Sequence, residues 1–177
     1  SDSWIETQER LAQLGYKVVV PDLPGFGKSE PPPAVWGVED YVAFLKGLVD
    51  ALGIQKFFLV GGSFGGQTAA RFAVSHPEYV QKLVLSAPAI MRREPGLGKR
   101  LFMVISHGLD TMFSLWPLRI AHPLARKIVY KLLESQDYLY TKGIMKQVRT
   151  KVVREDNTHL LSRIVCPVLI LWGDKDT

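Results

Sequence analysis

Short runs of apolar residues recur along the chain, and they are continuous rather than alternating with polar residues. Continuous runs rich in Val, Leu and Ile are typical of strands that helices cover on both faces. The predicted strands are Lys17–Pro21, Lys56–Val60, Lys82–Ser86 and Pro167–Trp172. Apolar residues at helical spacing predict helices over Trp4–Leu14, Val38–Leu52 and Phe64–Val74. Because helices and strands alternate, the pattern predicts an α/β fold with a parallel, doubly wound sheet.

The alternation stops between the third and fourth predicted strands. About eighty residues, from Ala87 to Val165, have the spacing of several helices and contain no strand pattern. A long helical excursion within an α/β series indicates an inserted domain, and long insertions often carry function. The predicted organisation is therefore a core formed by residues 1–89 and 156–177, with a helical cap formed by residues 90–155.

A G-x-S-x-G motif follows the second predicted strand and leads directly into a helix. A serine in such a sharp strand-to-helix turn presents its Oγ above the sheet, so Ser63 is the predicted nucleophile. The strained turn also crowds the chain on both sides, which predicts a requirement for glycine at Gly61 and Gly65. The backbone N–H of Phe64, at the helix N-terminus, is the predicted oxyanion donor.

A glycine-rich turn between a strand and a helix also begins a dinucleotide-binding fold, which is the competing interpretation of the motif. That fold needs a glycine where this chain has Ser63, so that a pyrophosphate can approach the backbone. It also needs an acidic residue at the end of the next strand to hold the ribose. The next predicted strand ends in Ser86, Ala87 and Pro88. Dinucleotide binding is therefore the weaker alternative.

Two further segments, outside the G-x-S-x-G motif, also have a distinctive sequence. Val18–Ser29, with the sequence VVVPDLPGFGKS, and Pro167–Asp176, with the sequence PVLILWGDKD, lie on either side of it. Together the three segments resemble the α/β-hydrolase superfamily, in which a strand and loop precede the nucleophile and a late strand leads to the acid of a catalytic triad. By that resemblance Asp176 is the acid, while Asp174 is a turn residue.

Within this superfamily the type of nucleophile narrows the chemistry. Relatives that open epoxides or remove halide use aspartate, whereas serine suits attack on a carbonyl carbon. The resemblance therefore implies a serine hydrolase of carboxylic esters or related carbonyl compounds, with carbon–carbon bond cleavage at a diketone-like substrate left open. It implies no cofactor and no metal. A non-catalytic binding protein of the same fold is the alternative from another class.

The superfamily places its catalytic histidine after the acid. All four histidines of this chain precede Asp176: His76, His107, His122 and His159. The second oxyanion donor of the superfamily comes from a loop that lies before Ser1 by the same resemblance. We therefore expect the chain to be an internal segment of a longer enzyme, without the early strands or the last strand and helix, and with the catalytic base outside it.

Composition adds expectations about partners and location. The net charge of +5 is uneven, because residues 90–155 contain 13 Lys and Arg against 5 Asp and Glu. This excess suggests at most a weak contact with an anionic or membrane surface, and nothing indicates nucleic-acid binding. By the resemblance, in which the cap lies over the nucleophile, apolar side chains in residues 97–133 suggest a small-molecule substrate with an apolar acyl or ring group; the alternative is that they pack the cap against the core. A single cysteine, Cys166, and the absence of a long apolar run fit a cytoplasmic protein.

Overall fold

The computed structural model describes residues 4–90 and 143–174. The chain divides into two compact units, Ser1–Arg92 with Gln147–Thr177, and Arg93–Lys146. The helices are α1 (Ile5–Gln13), α2 (Val38–Ala51), α3 (Ser63–Ser75) and α4 (Ile144–Arg154), with 3₁₀ turns at Pro77–Tyr79 and Thr158–Arg163. The strands are β1 (Phe57–Gly62), β2 (Val80–Ser86) and β3 (Val168–Leu171). Most of the predicted cap, residues 90–155, lies outside the described residues and stays a prediction.

The three strands form a parallel sheet in the order β1-β2-β3. Leu59 of β1 lies opposite Leu83 of β2, which in turn lies opposite Val168 of β3. Because all the strands run in one direction, their carboxyl ends share one edge of the sheet, where Gly62 and Leu171 lie. The predicted parallel α/β architecture is confirmed for the described part of the chain.

The predicted strand at Lys17–Pro21 is wrong. These residues form no regular secondary structure, although their composition suits a buried strand. A strand exists through hydrogen bonds to a neighbouring strand, and no described strand pairs with this run. An apolar run alone therefore did not specify a strand here.

The core lies between the sheet and α3 and between α3 and α2. Its largest fully buried side chains include Tyr41 of α2, Phe72 of α3, and Leu83 and Leu85 of β2. Burying a side chain of this size contributes roughly 1.5–3 kcal/mol, so this layer fixes α3 firmly against the sheet. Side chains of the sheet that alternate with the buried ones, such as Phe58 of β1, are exposed within the described structure.

Polar contacts attach the end of α4, and the residue that follows it, to α2 and α3. The buried Gln67 side chain of α3 donates from Nε2 to the carbonyl oxygens of Val152 and Glu155, at 3.4 and 3.3 Å. The Glu155 carboxylate accepts from the backbone N–H of Val38, the first residue of α2, at 3.3 Å. A carboxylate at a helix N-terminus also interacts favourably with the helix dipole. These bonds connect α2, α3 and the end of α4.

Candidate active site

Ser63 occupies a sharp turn between β1 and α3. The strand ends at Gly62, the helix begins at Ser63, and Ser63 has a φ of 48°. A non-glycine residue in this left-handed region costs roughly 1–2 kcal/mol, and such strain persists only where the surroundings impose it. Ser63 is exposed. The strand–turn–helix arrangement predicted from the G-x-S-x-G motif is therefore present, with its serine accessible.

Close packing requires glycine at two positions around this turn. A Cβ on Gly61 would lie 2.7 Å from the carbonyl carbon of Gly65, which leaves no room for a side chain. A Cβ on Gly66 would lie 2.8 Å from the Cβ of Pro88. By contrast, a Cβ on Gly65 would meet nothing within 4 Å. The prediction that a side chain would not fit at Gly65 is therefore wrong. The sequence did not predict the steric requirement for glycine at Gly66.

The segment that leaves β2 supports the turn from the neighbouring strand. The backbone N–H of Ala89 donates to the carbonyl oxygen of Ser63 at 3.0 Å. Ala87 is also left-handed, with a φ of 41°, and its N–H donates to the carbonyl oxygen of Leu171 at 2.8 Å. This segment thus connects the carboxyl ends of all three strands. The sequence interpretation did not single out Ala87 or Ala89, because alanine carries no turn signal.

Phe64 is the second residue of α3, and its N–H therefore has no acceptor within the helix. The partial positive charge of the helix N-terminus adds to that of the N–H group, a combination that favours an oxyanion beside Ser63. The Phe64 ring packs between two other rings. It stacks on Phe26 at a centroid distance of 5.5 Å and meets Tyr41 edge-on at 4.9 Å.

The loop that carries Phe26 is held by its own hydrogen bonds. Lys28 N–H donates to the Asp22 carboxylate at 3.1 Å, and the Ser29 hydroxyl donates to the Asp22 carbonyl at 2.7 Å. The bond from the Lys28 amide lowers the pKa of Asp22, so the carboxylate stays charged. From α2, the Tyr41 hydroxyl donates to the Pro24 carbonyl at 3.0 Å. Burial raises the pKa of Tyr41 to about 12, so it remains a donor.

The two candidates for the acid follow β3. Asp174 is exposed in the turn after that strand, and Asp176 lies outside the described residues. One strand, β2, separates β3 from β1. At about 4.8 Å between neighbouring strands, the carboxyl ends of β1 and β3 are roughly 10 Å apart. That separation leaves space for an imidazole between a serine after β1 and a carboxylate after β3.

Neither described histidine has the features of a catalytic base. His76 caps the far end of α3, roughly 20 Å along the helix from Ser63, and its ring packs on Phe72 at 5.0 Å. His159 is exposed in the 3₁₀ turn before β3. His107 and His122 lie outside the described residues. Among residues 4–90 and 143–174, no three His, Cys, Asp or Glu side chains are grouped to hold a metal ion.

The family to which the chain belongs follows from comparison with known proteins. A sequence profile described as the alpha/beta hydrolase fold matches residues 1–138. The chain belongs to the alpha/beta hydrolase fold family. The strained serine between β1 and α3 and the parallel sheet agree with the resemblance noted in the sequence. In this family member, β2 ends at Ser86 and no carboxylate follows before Ile90, so the dinucleotide alternative lacks its ribose ligand.

Curated relatives of this chain are named for their substrates. A 2-hydroxy-6-oxononadienedioate/2-hydroxy-6-oxononatrienedioate hydrolase 1 of Dechloromonas aromatica is 42% identical over 95% of this chain and 63% of its own length. A 2-hydroxy-6-oxo-6-phenylhexa-2,4-dienoate hydrolase of Comamonas testosteroni is 32% identical over 94% of the chain and 63% of its own length. The chain thus spans less than two thirds of these relatives.

Solved structures share the fold. A meta-cleavage product hydrolase from Pseudomonas fluorescens IP01 has a TM-score of 0.63 at 22% identity, covering 98% of this chain and 66% of that one. An esterase from Exiguobacterium antarcticum has a TM-score of 0.64 at 18% identity, covering 96% and 67%. Among the described residues, no helix is long and apolar enough to cross a membrane.

Proposed function

We propose that the full-length protein is a serine hydrolase that cleaves a carbon–carbon bond beside the ketone of a 2-hydroxy-6-oxo acid. The observation that carries this proposal is the exposed, left-handed Ser63 at the start of α3. It occurs in a chain that is 31% or more identical, over 94% or more of its length, to several hydrolases named for such substrates.

The proposed roles follow from the geometry of the β1–α3 turn. Ser63 Oγ attacks the ketone carbon or activates the water that does so. The N–H of Phe64 and the N-terminus of α3 stabilise the oxygen that becomes negative. Asp176, after β3, orients a histidine that lies outside these 177 residues, and that histidine moves the proton. The position of β3 beside β2 supports this pairing of serine and acid.

A 2-hydroxy-6-oxo dienoate suits this machinery because its leaving group is a carbon atom that conjugation can stabilise. The proton of the 2-hydroxyl group first moves to C5, so that C5 becomes a saturated carbon between the ketone and a conjugated 2-oxo group. When the oxyanion collapses, the bond between C5 and the ketone carbon breaks. The electron pair passes into the dienolate of the 2-oxo group, whose oxygen then takes up one proton to give a 2-hydroxy dienoate. Water supplies the oxygen of the carboxylic acid product and the proton. An ester needs no such stabilisation, since its leaving group is an alkoxide.

A substrate panel tests the proposal. Purified full-length protein is offered 2-hydroxy-6-oxo-6-phenylhexa-2,4-dienoate and nitrophenyl esters of two to eight acyl carbons. Turnover of the dienoate is measured by the loss of its conjugated absorbance. We expect kcat/KM for the dienoate to exceed kcat/KM for every ester by about a hundredfold or more. Faster turnover of an ester would replace carbon–carbon cleavage with esterase activity. No turnover of either class would favour a non-catalytic binding protein.

A further inference from the structure

We infer that Phe26 is a positioning residue for this reaction, and that it acts through the ring of Phe64. The inference rests on the proposed function, in which the Phe64 N–H stabilises the oxyanion. Phe26 lies in the Asp22–Ser29 loop, 38 positions before Phe64. Its ring is stacked on the Phe64 ring, with an interplanar angle of 24°.

Three rings hold one another beside Ser63. Phe64 has Phe26 on one side, at 5.5 Å, and the edge of Tyr41 on another, at 4.9 Å. Phe26 and Tyr41 also meet each other edge-on, at 6.2 Å. The Phe64 side chain is therefore restrained from both the loop and α2. Since that side chain is attached to the first turn of α3, the restraint also limits movement of the Phe64 backbone.

Phe26 and Tyr41 differ in what else they support. Tyr41 is fully buried, contacts Trp36, and donates to the Pro24 carbonyl, so its ring is part of the core. Phe26 is 42% exposed. The loop around Phe26 is held by the hydrogen bonds to Asp22, which do not involve its ring. Removing the Phe26 ring should therefore loosen Phe64 while leaving the fold intact.

This role has a measurable consequence that does not depend on the substrate. A fluorophosphonate that reacts with Ser63 places its phosphoryl oxygen where the oxyanion forms, so its reaction rate reports on the Phe64 N–H. An aromatic pair corresponds to about a twofold to tenfold effect on an equilibrium or rate. We therefore expect Phe26→Leu to slow both phosphonylation and kcat by about threefold to tenfold. Since the contact is not with substrate, KM should change by less than about twofold.

Matched variants separate positioning from general damage. Phe26→Tyr keeps the stacked ring and should restore the wild-type rate. Phe58→Leu removes a ring of similar exposure, 46%, from the exposed face of β1. It should leave the rate of phosphonylation and kcat unchanged. A double-mutant cycle with Phe64→Leu should show losses that are less than additive, because either substitution removes the same stack.

Equal phosphonylation of wild-type and Phe26→Leu protein would overturn the inference. Additive losses in the cycle, or a raised KM with unchanged kcat, would overturn it as well. If Phe26→Leu lowers Tm by more than Phe58→Leu does, the comparison of Phe26→Tyr with wild type and the cycle decide the question. Failure of the proposed function gives different results: a non-catalytic protein would not be labelled at Ser63 at all, and an esterase would be labelled but would turn over esters faster than the dienoate.

Discussion

The backbone N–H of Ala89 donates a 3.0 Å hydrogen bond to the carbonyl oxygen of Ser63. This bond connects the segment after β2 to the turn that carries the proposed nucleophile. Ser63 and Ala87 are both left-handed, and each is expected to cost roughly 1–2 kcal/mol of strain. Packing of Pro88 against Gly66 holds the two segments together. Packing in the rest of the core must therefore offset the strain at this edge of the sheet.

Ala87 provides a test of that strain. Ala87→Val places a β-branched side chain at a φ of 41°, where such residues are strongly disfavoured. We expect the free energy of unfolding to fall by about 1–3 kcal/mol. Ala89→Val is the matched control, because Ala89 is exposed and has no positive φ, and should change stability by less than about 0.5 kcal/mol. Urea unfolding of the full-length protein measures the free energy of unfolding of each variant. Equal losses for Ala87→Val and Ala89→Val would show that Ala87 is not strained.

The adjacent glycines Gly65 and Gly66 should respond differently to alanine. A Cβ on Gly66 would collide with Pro88, so Gly66→Ala should destabilise the protein by about 1–3 kcal/mol. A Cβ on Gly65 meets nothing within 4 Å, and alanine is the better helix former by about 1 kcal/mol. Gly65→Ala should therefore leave Tm unchanged or raise it. Thermal unfolding that shows the opposite order would mean that the turn is packed differently.

The acid of the proposed triad is tested by a pair of amide substitutions. Asp176→Asn should reduce kcat by roughly 10⁴-fold, because the histidine loses the carboxylate that fixes its tautomer. Asp174 is an exposed turn residue, so Asp174→Asn should change kcat by no more than a few-fold. Steady-state kinetics on the full-length protein distinguish the two. Equal losses, or a larger loss for Asp174→Asn, would show that the triad acid is not Asp176.

The sequence predicted the parts of the structure that depend on local pattern. The strands β1, β2 and β3 and the helices α1, α2 and α3 lie within two residues or so of their predicted bounds, since each has a clear apolar spacing. The Lys17–Pro21 run was wrong because pairing with another strand is a non-local property. The lack of space for a side chain at Gly66 and the left-handed conformation of Ala87 both depend on packing between segments that are distant in sequence.

Non-local packing also explains what was missed around the candidate site. The motif located Ser63 and its turn, because glycines close in sequence carry that signal. The stack of Phe26 on Phe64 joins residues 38 positions apart, and neither residue type signals the contact. The place of Gly65 in the motif predicts that a side chain would not fit there. In three dimensions, its carbonyl instead occupies the space that a Gly61 side chain would need.

The identity of the nucleophile is tested most directly by mapping the site of covalent labelling. Full-length protein is treated with a fluorophosphonate, digested and sequenced by mass spectrometry, alongside Ser63→Ala and the control Ser75→Ala, at the far end of α3. The account predicts one adduct on Ser63, loss of labelling and turnover in Ser63→Ala, and wild-type behaviour in Ser75→Ala. Near-normal turnover by Ser63→Ala, or an adduct on another residue, would contradict it.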